Sequence, residues 1–65
     1  MNDLTQTVDW IATGQENVTV EDYGRHHTKV SGRCAHYIRD AVEDDRRLKV
    51  RRDINQYAFT VDWDA

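Results

Sequence analysis

Nine basic side chains, all between Arg25 and Arg52, make anion binding the chemistry this sequence is best equipped to perform. Arg25, Lys29, Arg33, Arg39, Arg46, Arg47, Lys49, Arg51 and Arg52 share that stretch with only Asp40, Glu43, Asp44 and Asp45, a local net charge of +5. Residues 1–24 hold Asp3, Asp9, Glu16, Glu21 and Asp22 and no base, and residues 53–65 hold Asp53, Asp62 and Asp64. The whole chain is therefore acidic, −3 at pH 7, yet dipolar along its length. Such a distribution fits one basic face on an acidic body. Segments of opposite sign that neutralise each other on folding would leave no such face.

Other chemistry finds less support. His26, His27, Cys34 and His36 are zinc-type ligands, but Cys34 belongs to an apolar helical stripe and His36, two residues on, points elsewhere. No CxxC or HxxxH pair exists, and a packing role suits the cysteine better. Ser31, His36 and Asp40 would string along one exposed helix with no pocket, and there is no glycine-rich phosphate loop. We expect no enzyme, no metal and no cofactor. A single cysteine also excludes an internal disulfide framework.

The elements that must position the bases belong to one domain, residues 1–65, with 38% hydrophobic residues to form a thin core. A domain of this size buries only about 60% of its unfolded surface, so a partner or a second copy is a reasonable expectation. No apolar run approaches the length of a membrane helix, and Met1-Asn2-Asp3 lacks a signal-peptide layout. A cytoplasmic protein is expected. Leu4, Val8, Ile11 and Ala12 share a helical face, with Asn2 or Asp3 as cap and Gly14 as stop. Thr19-Val20-Glu21-Asp22 reads as a capped start of a short second helix running to about His27, with Val20 and Tyr23 inward. Val30, Cys34, Ala35, Ile38, Ala41 and Val42 form the stripe of a third, capped by Thr28 or Ser31 and ending near Asp44 or Asp45. The period then changes to two. Leu48 and Val50 oppose Arg47, Lys49 and Arg51, and after the polar turn 53–56 Tyr57, Phe59, Val61 and Trp63 alternate with polar or small residues. That is a β-hairpin whose apolar face must cover the helices. Val18 is a candidate for a short extra strand beside it.

This order resembles the winged helix-turn-helix, the DNA-reading domain of many small bacterial and archaeal transcription regulators. Thr19–His27 and Val30–Val42 match its paired helices, and Glu43–Asp53 looks like its passage into the wing; Gly24 sits where the family needs a small residue. The turn His27-Thr28-Lys29 lacks the usual glycine, and the tip Asp53-Ile54-Asn55-Gln56 is not basic. The resemblance implies an α+β fold, a three-helix winged helix-turn-helix with a C-terminal β-hairpin wing. It implies a small DNA-binding transcriptional regulator, with a recognition helix at about 30–44 and a wing at about 47–63. A protein-binding winged-helix module, such as a small viral or plasmid-encoded inhibitor or adaptor, is the alternative, because fold does not determine function.

With Val30, Ala35, Ile38 and Val42 inward, Ser31, Arg33, His36 and Arg39 would face the bases of double-stranded DNA. Lys29, Lys49, Arg51 and Arg52 would hold phosphates, which position a protein without reading sequence. Arg46 and Arg47 are candidates for local pairing with Glu43, Asp44 or Asp45, Arg46 above all. Trp63 continues the hairpin's apolar face into the core. Trp10 either widens the first helical stripe into a homodimer seam or packs on the hairpin. The regulator reading requires the cations to gather on one surface built jointly by the last helix and the ribbon. Scattered or carboxylate-bound cations would favour a protein-contacting role instead.

Overall fold

The computed structural model describes residues 3–24 and 26–64; Arg25 and the candidate cap Asn2 lie outside them. Helix α1 spans Asp3–Ile11, strands β1 and β2 span Thr19–Asp22 and Thr28–Ser31, helix α2 spans Ala35–Asp44, and strands β3 and β4 span Leu48–Asn55 and Ala58–Trp63. The four strands form one antiparallel sheet in the order β1-β2-β4-β3. Helix α1 lies over β1 and β2, and α2 over β3 and β4. Both helices therefore cover the same face.

The core lies between these two layers. Leu4, Val8 and Ala12 from α1 meet Ala35, Ile38 and Val42 from α2 above Val30, Leu48, Phe59 and Val61 of the sheet. Burial of each large aliphatic side chain contributes about 1.5–3 kcal/mol. A polar cluster is sealed in with them: Thr5 Oγ1 donates to Asp22 Oδ1 and lies 2.8 Å from Thr28 Oγ1. Thr5 and Thr28 are both fully buried, and these contacts offset the cost of desolvating their hydroxyls.

The first helix and the C-terminal hairpin form where the sequence places them. Gly14, at φ +88°, takes the left-handed conformation that a helix end favours. The hairpin turn falls at Gln56-Tyr57 rather than over 53–56, because β3 continues to Asn55 through two register shifts, between Val50 and Arg52 and between Asp53 and Asn55. Phe59 and Val61 are buried as the alternation demands. Tyr57 is exposed in the turn, and Trp63, expected in the core, is more than a third exposed at the sheet's end.

The three-helix winged fold is overturned. The described residues form two helices and a four-stranded sheet, not three helices with a hairpin wing. The expected second helix is strand β1 and its connection to β2; Val20 is half-buried and Tyr23 exposed. The expected start of the third helix, Val30-Ser31, is the end of β2, and α2 begins only at Ala35. The physical reason is the β-branched content of Val18-Thr19-Val20 and Thr28-Lys29-Val30, which favours pairing over a short helix. Pairing is then completed by β4, which takes Val30 opposite Phe59 and Thr28 opposite Val61. Gly32, at φ +122°, makes the passage from β2 into α2 possible: a Cβ there would collide with the Asn17 carbonyl. The short strand anticipated at Val18 forms one residue later, as β1 from Thr19, and pairs with β2 rather than with the hairpin.

Candidate nucleic-acid interface

Alternation along the strands decides which side chains the helices cover. In β2, Thr28 and Val30 point inward, so Lys29 and Ser31 point to the opposite face. In β4, Phe59 and Val61 are inward and Ala58, Thr60 and Asp62 outward. Registration carries this across the sheet. Glu21 stands beside Lys29, Lys29 beside Thr60 and Thr60 beside Arg52. Asp62 stands beside Lys49 one rung away. The shift after Val50 leaves Arg51 as the extra residue of a bulge, and its Nε reaches Asp62 Oδ2 at 3.5 Å. The bulge thus sets Arg51 and Arg52 on the same side of the sheet.

Lys29, Lys49, Arg51 and Arg52 therefore share the face that carries no helix. Among the described strand residues two acids, Glu21 and Asp62, share it with them, and Asp64 follows at its end, so these side chains remain net positive on a chain of net −3. Lys29, Lys49 and Arg52 have no ion-pair partner among the described residues. Lys29 Nζ lies 5.8 Å from the centre of the Tyr23 ring, a cation–π contact at the edge of the patch. Thr60 is buried although it lies on this face, and its Oγ1 donates to the Arg52 carbonyl at 3.3 Å.

The proposed base-facing set is divided. Ser31 lies on the uncovered face with Lys29. Arg33 is exposed in the turn before α2. His36 is exposed on α2, its ring 4.0 Å from that of Tyr37. Arg39 is held on the helix side: its Nε donates to Glu43 Oε1 at 3.2 Å and its Nη1 lies 2.9 Å from Asp53 Oδ2. The hydrogen bond to Glu43 above all, and the charge of Asp53, raise the Arg39 pKa further above its ordinary value. Helix and ribbon thus do not build one joint cationic surface. A recognition helix backed by a wing is not what these residues form.

No family model, curated protein or solved structure matches the chain.

Outside the patch, local pairing falls on Arg47 rather than Arg46. Arg47 Nη2 lies 2.8 Å from Asp45 Oδ2, and Arg47 Nε and backbone N–H both donate to Asp45 Oδ1. Arg46 has no ion pair among the described residues. Cys34, expected on the buried stripe, is half-buried and free, because the stripe of α2 starts one residue later. Among the described residues no three His, Cys, Asp or Glu side chains converge on a common point, and no helix is long and apolar enough to cross a membrane. Trp10 is 75% exposed. It lines an open cleft with Asp3, Gln6, Thr7 and Arg47. Sequence reasoning passed over Asp62 and His27 as partners of the patch. The outward phase of Asp62 in β4, two residues from Thr60, was the available signal.

Proposed function

We propose that this chain is a cytoplasmic, non-catalytic protein that binds the phosphate backbone of duplex DNA with the uncovered face of its sheet. The observation that carries the reading is the convergence of Lys29, Lys49, Arg51 and Arg52 on one face without a covering helix, three of them free of carboxylates among the described residues. A twisted antiparallel sheet can lay such side chains along a duplex, and phosphate contact needs no base-reading element. Sequence-specific gene regulation by a groove-reading helix is not part of the proposal, since Arg39 is bound to Glu43 and Asp53 on the other side. Four phosphate contacts imply modest affinity with a log–log salt slope of about −3.6. Fluorescence anisotropy with a labelled duplex between about 50 and 200 mM salt tests it, with an expected loss of roughly a hundredfold. Charge reversal of Arg52 or Lys29 should weaken binding and that of Arg39 should not. Absence of binding at low salt rejects the reading.

A protein-contacting role is the second reading, favoured by Trp10. An indole three-quarters exposed beside a cleft has the composition of an interface anchor. The occupant in this reading is a second copy or another protein, and duplex binding is unnecessary. Recovery of a stoichiometric protein partner that survives nuclease treatment and is lost with Trp10→Ala supports it.

A further inference from the structure

Asp62 is the one carboxylate at the centre of the basic rungs, and two side chains share a single one of its oxygens. His27 Nδ1 and Arg51 Nε each lie 3.5 Å from Asp62 Oδ2. Asp62 Oδ1 is occupied separately, by the Trp63 backbone N–H at 2.8 Å. The contacts at 3.5 Å are longer than ordinary hydrogen bonds, so charge rather than directional bonding governs them. Arg51 is always charged, whereas a histidine changes charge between pH 5 and 8. The carboxylate is mostly shielded, with 18% of its side chain exposed, while His27 and Arg51 are about half exposed.

We infer that His27 and Asp62 form a proton-dependent control of the uncovered face: protonation of His27 offsets the Asp62 charge, releases Arg51 from it and tightens the hold on a phosphate backbone. The inference rests on the phosphate-binding reading above and adds its regulation. When His27 is neutral, Asp62 draws on Arg51 alone and cancels one cation of the patch. When His27 is protonated, the imidazolium takes over that carboxylate and the face gains one positive charge. Among the described residues the other charged or titratable groups near it in register or sequence are Lys49 and Arg51 on β3, Lys29 on β2, Glu21 on β1, Asp64 just after β4, and Tyr23 and His26 in the connection that carries His27. His26 has no ion-pair partner among the described residues and serves as the comparison.

Two measurements on the full chain test it. In the first, duplex binding is followed against salt at pH 8.0 and pH 5.5 for the wild type, His27→Gln, His26→Gln and Asp62→Asn. The wild type and His26→Gln should show a slope steeper by about 0.9 at pH 5.5, the contribution of one added cation. His27→Gln should lose that difference, and Asp62→Asn should bind more tightly than the wild type at pH 8.0. A pH response that persists in His27→Gln, or none in the wild type, overturns the inference. The second measurement needs no DNA. Acidification over the same range should raise the wild-type Tm relative to His27→Gln, and the Asp62→Asn background should erase that difference. Duplex binding without this coupling overturns the control, whereas coupling without duplex binding overturns the phosphate reading and reduces the pair to a stability element.

Discussion

Arg39 and Asp53 join α2 to the inward side of β3, Nη1 to Oδ2 at 2.9 Å. The next residue back along β3, Arg52, points the other way, beside Thr60 on the uncovered face. Two neighbouring positions on one strand thus mark the two sides of the molecule, and among the described residues Lys29, Lys49 and Arg52 on the uncovered side have no ion pair. Arg39→Ala should leave duplex binding unchanged in anisotropy titrations. It should change the Tm little, since the ion pair is exposed and screened. Arg52→Glu should keep the Tm and weaken binding at least tenfold, because it replaces a phosphate contact with a repulsion. Equal losses for the two variants would place the interface elsewhere.

Gly32→Ala should destabilise the fold by about 2 kcal/mol or more, from a backbone conformation that other residues rarely adopt and a collision with the Asn17 carbonyl. Gly14→Ala is the comparison. Its φ is also positive, but nothing lies near the added Cβ, so strain alone, about 1 kcal/mol, should be lost. Chemical denaturation of both variants measures the difference, which isolates the close approach of residue 17 to the turn before α2.

The elements differ in how far they could be read from sequence, and the difference has a cause. Helix α1 was legible because Leu4, Val8 and Ala12 repeat over more than two turns and Gly14 ends them. The hairpin was legible because β4 alternates over its whole length. Strands β1 and β2 are four residues each, and such short segments give alternation little room to declare itself. In β2 the inward position Thr28 is polar, buried only because Thr5 and Asp22 lie within its cluster, so it passed for a helix cap. Val20 and Tyr23 meanwhile fit a helical face by spacing alone. The same error decided the site. Lys29, Lys49, Arg51 and Arg52 were recognisable as anion-binding residues, but their gathering on one face depends on β2 being a strand beside β4. With β2 read as helix, Arg39 fell on their side. The bulge was signalled by Arg51-Arg52, two consecutive polar residues that break the alternation of β3.

Asp45 is held to a pKa of about 2, chiefly by the Arg47 side-chain hydrogen bonds and then by the Arg47 backbone N–H, against an ordinary 3.8. A carboxyl depressed on folding stabilises the native state above its unfolded value and loses that contribution as pH falls toward the native one. Asp45→Asn should therefore lower the Tm at pH 7, and its deficit against the wild type should close between about pH 4 and pH 2. Because Arg47 is largely exposed, the deficit at pH 7 should shrink in molar salt. Thermal unfolding followed by circular dichroism across that range checks the sign, and a deficit that grows in acid would contradict it.

Trp10 separates the two functional readings most directly, because it lies on α1, over the helix-covered face of the sheet, and the patch proposed to bind phosphates is on the other. Its side chain is 75% exposed, so Trp10→Ala should change folding stability by no more than about 0.5 kcal/mol. In the Trp63→Phe background Trp10 is the sole indole, and its emission should be quenched freely by acrylamide when the chain is monomeric. If the α1 cleft docks a second copy, quenching should fall as concentration rises, and sedimentation should show a dimer that Trp10→Ala abolishes. If duplex DNA on the sheet face is the ligand, adding DNA should leave Trp10 quenching unchanged while anisotropy reports binding. Protection of Trp10 by DNA would mean that the nucleic acid lies on the helix side, contrary to the placement of Lys29, Lys49, Arg51 and Arg52.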